Sequence, residues 1–197
     1  MIFLYIFLTL ILALGAYIGY YAYRAKYICR KAEQILPGLL QKAGLEGKVK
    51  IIASSSIRDN IEMAHWLKGG TPALASNRPT GLGVIGAPRI VNNIGGEEKY
   101  LIVILGWYFF SKRLINDKGM TWLLSHEIGH IVNGDIDRMT SGEVEVGRNL
   151  NFEINADRFA KRFSGIDNEL LASIYSDFEK FNIDKSEIQE RMKAVLG

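Results

Sequence analysis

Residues 125–135 read SHEIGHIVNGD and bring His126, Glu127 and His130 together in an HExxH pattern. Residues four apart share one face of a helix, so His126 and His130 can hold a single metal ion between them. Glu127 lies beside them and can reach a water on that ion without coordinating it. The chemistry would be metal-assisted hydrolysis, with zinc as the ion and Glu127 as the general base. Chance alone produces HExxH in roughly one chain in two hundred of this length. A helix with two polar histidines is therefore the competing reading, and the rest of the chain must supply what a metal site needs.

Zinc requires a third protein ligand. The chain has three histidines and one cysteine, which leaves His65, Cys29 or a carboxylate. A third histidine six residues beyond His130 is excluded, because Ile136 stands there and Asn133 replaces the glycine that pattern carries. The segment LNFEINADRFAKRF offers the carboxylates. As a helix it has Phe152, Ala156, Phe159 and Phe163 on one face and Arg158, Lys161 and Arg162 on the other, with Glu153 and Asp157 in a row between. Two carboxylates one turn apart repel by a few tenths of a kcal/mol, on the order of 0.3. A metal held by Glu153, with Asp157 hydrogen-bonded to a liganding imidazole, removes that conflict. The plain alternative is an exposed Asp157–Lys161 pair.

HEIGHIVNGD followed by FEINADRFA resembles the gluzincin metallopeptidases. It is most similar to the membrane-associated HtpX and CAAX prenyl protease family, whose signature pairs HExxH with a later ExxxD. The likeness covers roughly residues 88–165 and includes LIVILGWYFFSKRLINDKGMTWLLSHEIGH, where that family leads from a strand into the active-site helix. It implies one zinc ion per chain held by His126, His130 and Glu153, with an open fourth position. It also implies Glu127 as catalytic base, and Asp157 fixing the tautomer of His126. The strand near 100–106 would align an extended protein substrate by edge pairing. Relatives steady the oxyanion with a His, Tyr or Arg, for which Tyr175, Arg148 and His65 are the candidates. His65 beside Trp66 also reads simply as part of a folded surface. The chain departs from the family in having one membrane segment, at its start. The soluble ImmA/IrrE gluzincins, which cleave repressors, are a second resemblance, but the membrane segment argues against them.

These residues need elements to position them. Residues 1–23 carry no charged side chain and, as a helix, reach roughly 34 Å, enough to cross a bilayer. Tyr17, Tyr20, Tyr21 and Tyr23 gather at one end, followed by Arg24, Lys26, Arg30 and Lys31. That arrangement predicts an uncleaved single-pass anchor with the rest of the chain in the cytoplasm. A cleaved signal peptide fits less well, because the positive charge sits on the wrong side. Gly15 and Gly19 form a GxxxG pair that could support a homodimer, and Cys29 beside the membrane is open to acylation.

The formal charge of +3 is carried by the juxtamembrane cluster; without it, 20 basic residues face 21 acidic ones. A basic surface for nucleic acid is thus not indicated. Residues 24–47 read as a juxtamembrane helical linker, interrupted at Pro37 and ending in a short helix and turn. Residues 48–197 read as an α+β domain, strands first and helices after. It has a strand at 48–54, a helix through NIEMAHWL, and an irregular loop over 69–87. APRIVNN and KYLIVILGWYFF make a hairpin. Helices follow near 119–133, 151–164, 168–181 and 185–195. Gly134 and Gly165 act as C-terminal caps, and Asp167 and Asp184 as N-caps. Asn133 and Asp135 are assigned to the helix stop. Gly129 inside the active-site helix costs about 1 kcal/mol against Ala, which a close neighbour would explain. A membrane-anchored regulatory protein with a structural zinc is the rival to the enzyme.

Overall fold

The computed structural model describes residues 2–53, 82–86, 100–104, 116–141, 143, 149–180 and 185–197. Among them the chain is mostly helical, with one small sheet. Helix α1 spans Ile2–Ala43. Its first part exposes Leu4, Phe7, Leu10, Leu12, Leu14 and Ile18, and it is long and apolar enough to cross a membrane. Open space surrounds Gly15 and Gly19.

From Ile28 onward the same helix changes environment. Ile28, Ala32, Leu36, Leu39 and Leu40 recur on one face and are buried in the core. The helix does not end at Pro37 as the sequence led us to expect. A proline inside a helix costs about 3 kcal/mol. Burying each nearby leucine contributes about 1.5–3 kcal/mol, so packing of Leu36, Leu39 and Leu40 outweighs the lost hydrogen bond. Gly44, at φ 69°, ends α1: its N–H donates to the Gln41 carbonyl and that of Leu45 to Leu40. Ile28, Ala32, Leu36, Leu39 and Leu40, within the expected linker, thus pack into the same core as the strands and helices that follow.

The sheet has strand order β1-β3-β2, with β1 at Val49–Ala53, β2 at Leu82–Gly86 and β3 at Tyr100–Ile104. β1 runs parallel to β3, Val49 opposite Tyr100, and β2 runs antiparallel, Leu82 opposite Ile104. β2 falls within the stretch expected to be loop, where the glycines of LGVIG weaken the strand signal. β3 is the central strand. Its flanks are taken by β1 and β2, so the expectation that it offers an edge to substrate is overturned. The APRIVNN half of the hairpin and the NIEMAHWL helix lie outside the described residues.

Five helices follow among the described residues. They are α2 (Asp117–Val132), α3 (Asp135–Thr140), α4 (Leu150–Ser164), α5 (Asn168–Lys180) and α6 (Lys185–Leu196). Four match the expected helices closely; α3 was not foreseen. Asn116 caps α2 by accepting the Gly119 N–H at 2.7 Å, and Asp167 caps α5 by accepting that of Leu170 at 2.8 Å. Gly165 ends α4 at φ 68°, as expected of a cap. Asp184 lies outside the described residues.

Helix α2 is buried nearly all round. Met120, Leu124, Ile128 and Ile131 face α1 and the sheet, while Trp122 and Leu123 pack among Leu171, Ile174, Tyr175 and Phe178 of α5 and Ile188 and Val195 of α6. The core therefore has two lobes, and α2 is the wall between them.

Candidate metal centre

Helices α2 and α4 carry the motif residues, and the absence of a side chain at Gly129 lets them meet. A Cβ there would stand 3.1 Å from the Ala156 Cα and 3.2 Å from its carbonyl oxygen. The glycine expected to need a neighbour has one, and that neighbour is the backbone between Glu153 and Asp157.

At this contact the three expected ligands converge. His126 Nε2 and His130 Nε2 lie 3.2 Å apart. Glu153 approaches them with Oε2 at 3.5 Å from His126 Nε2 and Oε1 at 3.7 Å from His130 Nε2. Zinc with ligands at 2.0–2.2 Å in a tetrahedron would set neighbouring ligand atoms about 3.3–3.6 Å apart. The spacings fit an ion of that size, and these residues could hold a metal together.

The opposite ring nitrogens strengthen the fit. His126 Nδ1 lies 2.8 Å from Asp157 Oδ1, and His130 Nδ1 lies 2.9 Å from Asp135 Oδ2. An ionised carboxylate only accepts, so the His130 Nδ1 bonded to Asp135 carries a proton and leaves its Nε2 free to present a lone pair, while His126 Nδ1 meets Asp157 as an ion-pair contact. Two ring nitrogens and a carboxylate converging on one point call for a positive charge among them, either a metal ion or a proton. Without an ion, a proton on His126 answers the same demand. Burial disfavours its charged form, yet the charges of Asp157 and Glu153, and the hydrogen bonds they accept, push it up to about 10.

Behind the ligands stands a group that sequence reading missed. Arg191, buried on α6, donates to Asp157 through Nε at 2.7 Å and Nη2 at 2.8 Å, and reaches Glu153 Oε2 through Nη1 at 2.8 Å. Tyr175 adds its hydroxyl to Asp157 Oδ2 at 2.7 Å. Burial alone would raise both carboxylates, but Arg191 and His126 hold Asp157 down at about 2 and Glu153 well below the ordinary range. In Arg191 burial works against the charge, and Asp157 and Glu153 overcome it and raise its pKa. A sequence signal for it does exist: on α6 it sits in the stripe of Ile188 and Val195, an arginine where an apolar residue belongs.

Asp135 is the second omission. It is buried on His130 as the first residue of α3, where the sequence suggests only a helix stop. Gly134, in the left-handed region at φ 75°, turns the chain so that α3 folds back and delivers Asp135 to the ring. The Tyr100 hydroxyl steadies α3 by donating to Asp137 at 3.1 Å.

Of the other expected residues, Glu127 is buried on α2 next to His126, and burial raises its carboxyl above the usual range despite the opposing charges of His126 and His130. The alternative Asp157–Lys161 pair is not formed, since Lys161 Nζ donates to the Val195 carbonyl. Tyr175 is wholly buried with its proton committed to Asp157, which removes it as a group facing substrate. His65 and Arg148 lie outside the described residues. Cys29 is half-buried on α1 and stands apart from the cluster, with Sγ 3.7 Å from Glu33.

Comparison of the chain with protein families, with curated proteins and with solved structures found no match, so the reading of this centre rests on its own geometry.

Proposed function

We propose that the chain is a membrane-anchored zinc-dependent endopeptidase of the gluzincin type. The observation that carries this reading is the convergence of three ligands with a buried glutamate beside them. His126, His130 and Glu153 would hold the ion and leave a fourth position for substrate, whereas structural zinc sites are commonly closed by four protein ligands. When bound, zinc supplies Lewis acidity to a scissile carbonyl and acidifies the attacking water. The remaining work belongs to the chain. Asp157 and Asp135 keep the protons of His126 and His130 on Nδ1. Glu127, its affinity for a proton increased by burial, takes one from water and passes it to the leaving amine. The resemblance to the HtpX and CAAX protease family supports the same assignment through HEIGH and FEINAD.

The apolar part of α1 would be the anchor, with Arg24, Lys26, Arg30 and Lys31 on the cytoplasmic side. The substrate would be a protein. The burial of all three ligands favours one other reading, a structural zinc that holds α2 against α4.

The two readings differ over Glu127. The test compares hydrolysis of an unfolded protein by wild type and Glu127→Gln, with zinc content measured in both. Cleavage by wild type alone, with zinc in each, supports the peptidase. Zinc in both with equal cleavage, or with none, overturns it.

A further inference from the structure

Helix α1 spans two environments without a joint. Its exposed apolar part runs to Tyr23, and its first core residue is Ile28, five residues or about 7.5 Å further along the same helix. Among residues 2–43 there is no left-handed residue, and Pro37 lies inside the packed part, beyond the first core contacts. Two bonds clamp this part to the domain. Lys31 Nζ pairs with Asp117 at 2.6 Å, where the active-site helix begins, and Lys42 Nζ donates to the Phe163 carbonyl at 2.6 Å, near the end of α4. The helices that carry the three ligands are thus each tied to α1.

The direction of α2 follows from burial. Running toward the membrane, it would cover Tyr23 and Tyr27, which are exposed; the covered residues are Ile28, Ala32, Leu36, Leu39 and Leu40. So α2 leads away from the apolar part. Eight residues from Tyr23 to Lys31 rise about 12 Å, and nine from Asp117 to His126 add at most about 14 Å.

We propose that α1 is a rigid strut that holds the metal centre within about 30 Å of the bilayer surface, so that the peptide bonds cut are those that a membrane-tethered protein presents at that height. This rests on the peptidase reading and adds the substrate geometry to it. An extended chain covers about 3.3 Å per residue, so the shortest tether that reaches this height is at most about nine residues. A flexible linker in place of residues 24–28 would impose no such minimum.

The test uses the full chain in vesicles, with seven helix-forming residues inserted between Tyr23 and Arg24. Seven residues add about 10 Å of rise and change the facing by only about 20°. A Gly/Ser insertion of the same length is the control. Height is read by energy transfer from a dye on Val132→Cys, in a Cys29→Ser background, to acceptor lipid headgroups. Cleavage is read on single-span reporters with unfolded tethers of graded length, and on a soluble unfolded protein.

The proposal expects the helical insertion to raise the dye by about 10 Å and to lengthen the shortest cleaved tether by about three residues. It expects the Gly/Ser insertion to abolish the threshold. An unmoved dye, or a chain that does not enter vesicles, overturns the strut. A raised dye with soluble protein cleaved but the threshold unmoved overturns the selection of substrate by height. A raised dye with nothing cleaved overturns the peptidase reading and the substrate statement with it, and leaves the strut standing.

Discussion

The two histidines of the centre are held in different ways. His130 is oriented by Asp135, five residues away across one turn. His126 is oriented by Asp157 on another helix, which is in turn held by Arg191 and Tyr175 from two more. One support is local, formed by a single glycine turn. The other exists only once α2, α4, α5 and α6 have packed. A local support can fail without the fold failing, whereas a distributed one is part of the fold.

Arg191→Met should separate the two most sharply. It leaves Asp157 and Glu153 buried without their guanidinium, and stranding a buried charge typically costs about 3–5 kcal/mol. That is a large share of the stability of an ordinary domain. Denaturant unfolding in detergent should show this loss together with loss of metal. A variant that unfolds at the wild-type midpoint would show that the four-helix network is not holding the fold.

Asp135→Asn addresses the local side. The protein should fold normally while metal affinity falls about 10–100-fold, as is usual when a carboxylate behind a histidine ligand is lost. Metal titration beside an unfolding curve checks this. Unchanged affinity would mean that Gly134 and α3 place Asp135 for some other reason.

Gly129→Ala tests the seam between the two. Alanine favours the helix by about 1 kcal/mol, but its Cβ meets α4 backbone. Overpacking of that kind costs about 1–3 kcal/mol, so a net loss of about 1 kcal/mol is expected, with weaker metal binding as Glu153 moves off the histidines. A gain in stability would mean that α4 yields freely.

The smallest effect concerns the base of the local support. Burial, and then Asp137, raises the Tyr100 hydroxyl from 10.0 to about 12. The folded protein therefore keeps that proton where the unfolded chain has lost it. The stability this contributes is complete below 10 and disappears as pH rises through about 12. Thermal midpoints across that window should fall less steeply for Tyr100→Phe than for wild type. Parallel profiles would remove Tyr100 from the account of α3.

What could be read from the chain alone were features one or two helical turns long. The i,i+4 pairs His126–His130 and Glu153–Asp157, the apolar start of α1, the boundaries of α2, α4, α5 and α6, and the Gly165 and Asp167 caps all depend on neighbours within a few residues. The periodicity of a helix fixes those directions before any packing occurs. Tertiary structure decided the rest. It brought Arg191 to Asp157 from 34 residues away, turned Tyr175 inward, and explained Gly129 by a backbone on another helix. It also paired β2 with β3 and carried α1 through Pro37. In each of these, burial against a distant element outweighs the local preference, and no short window of sequence contains both partners.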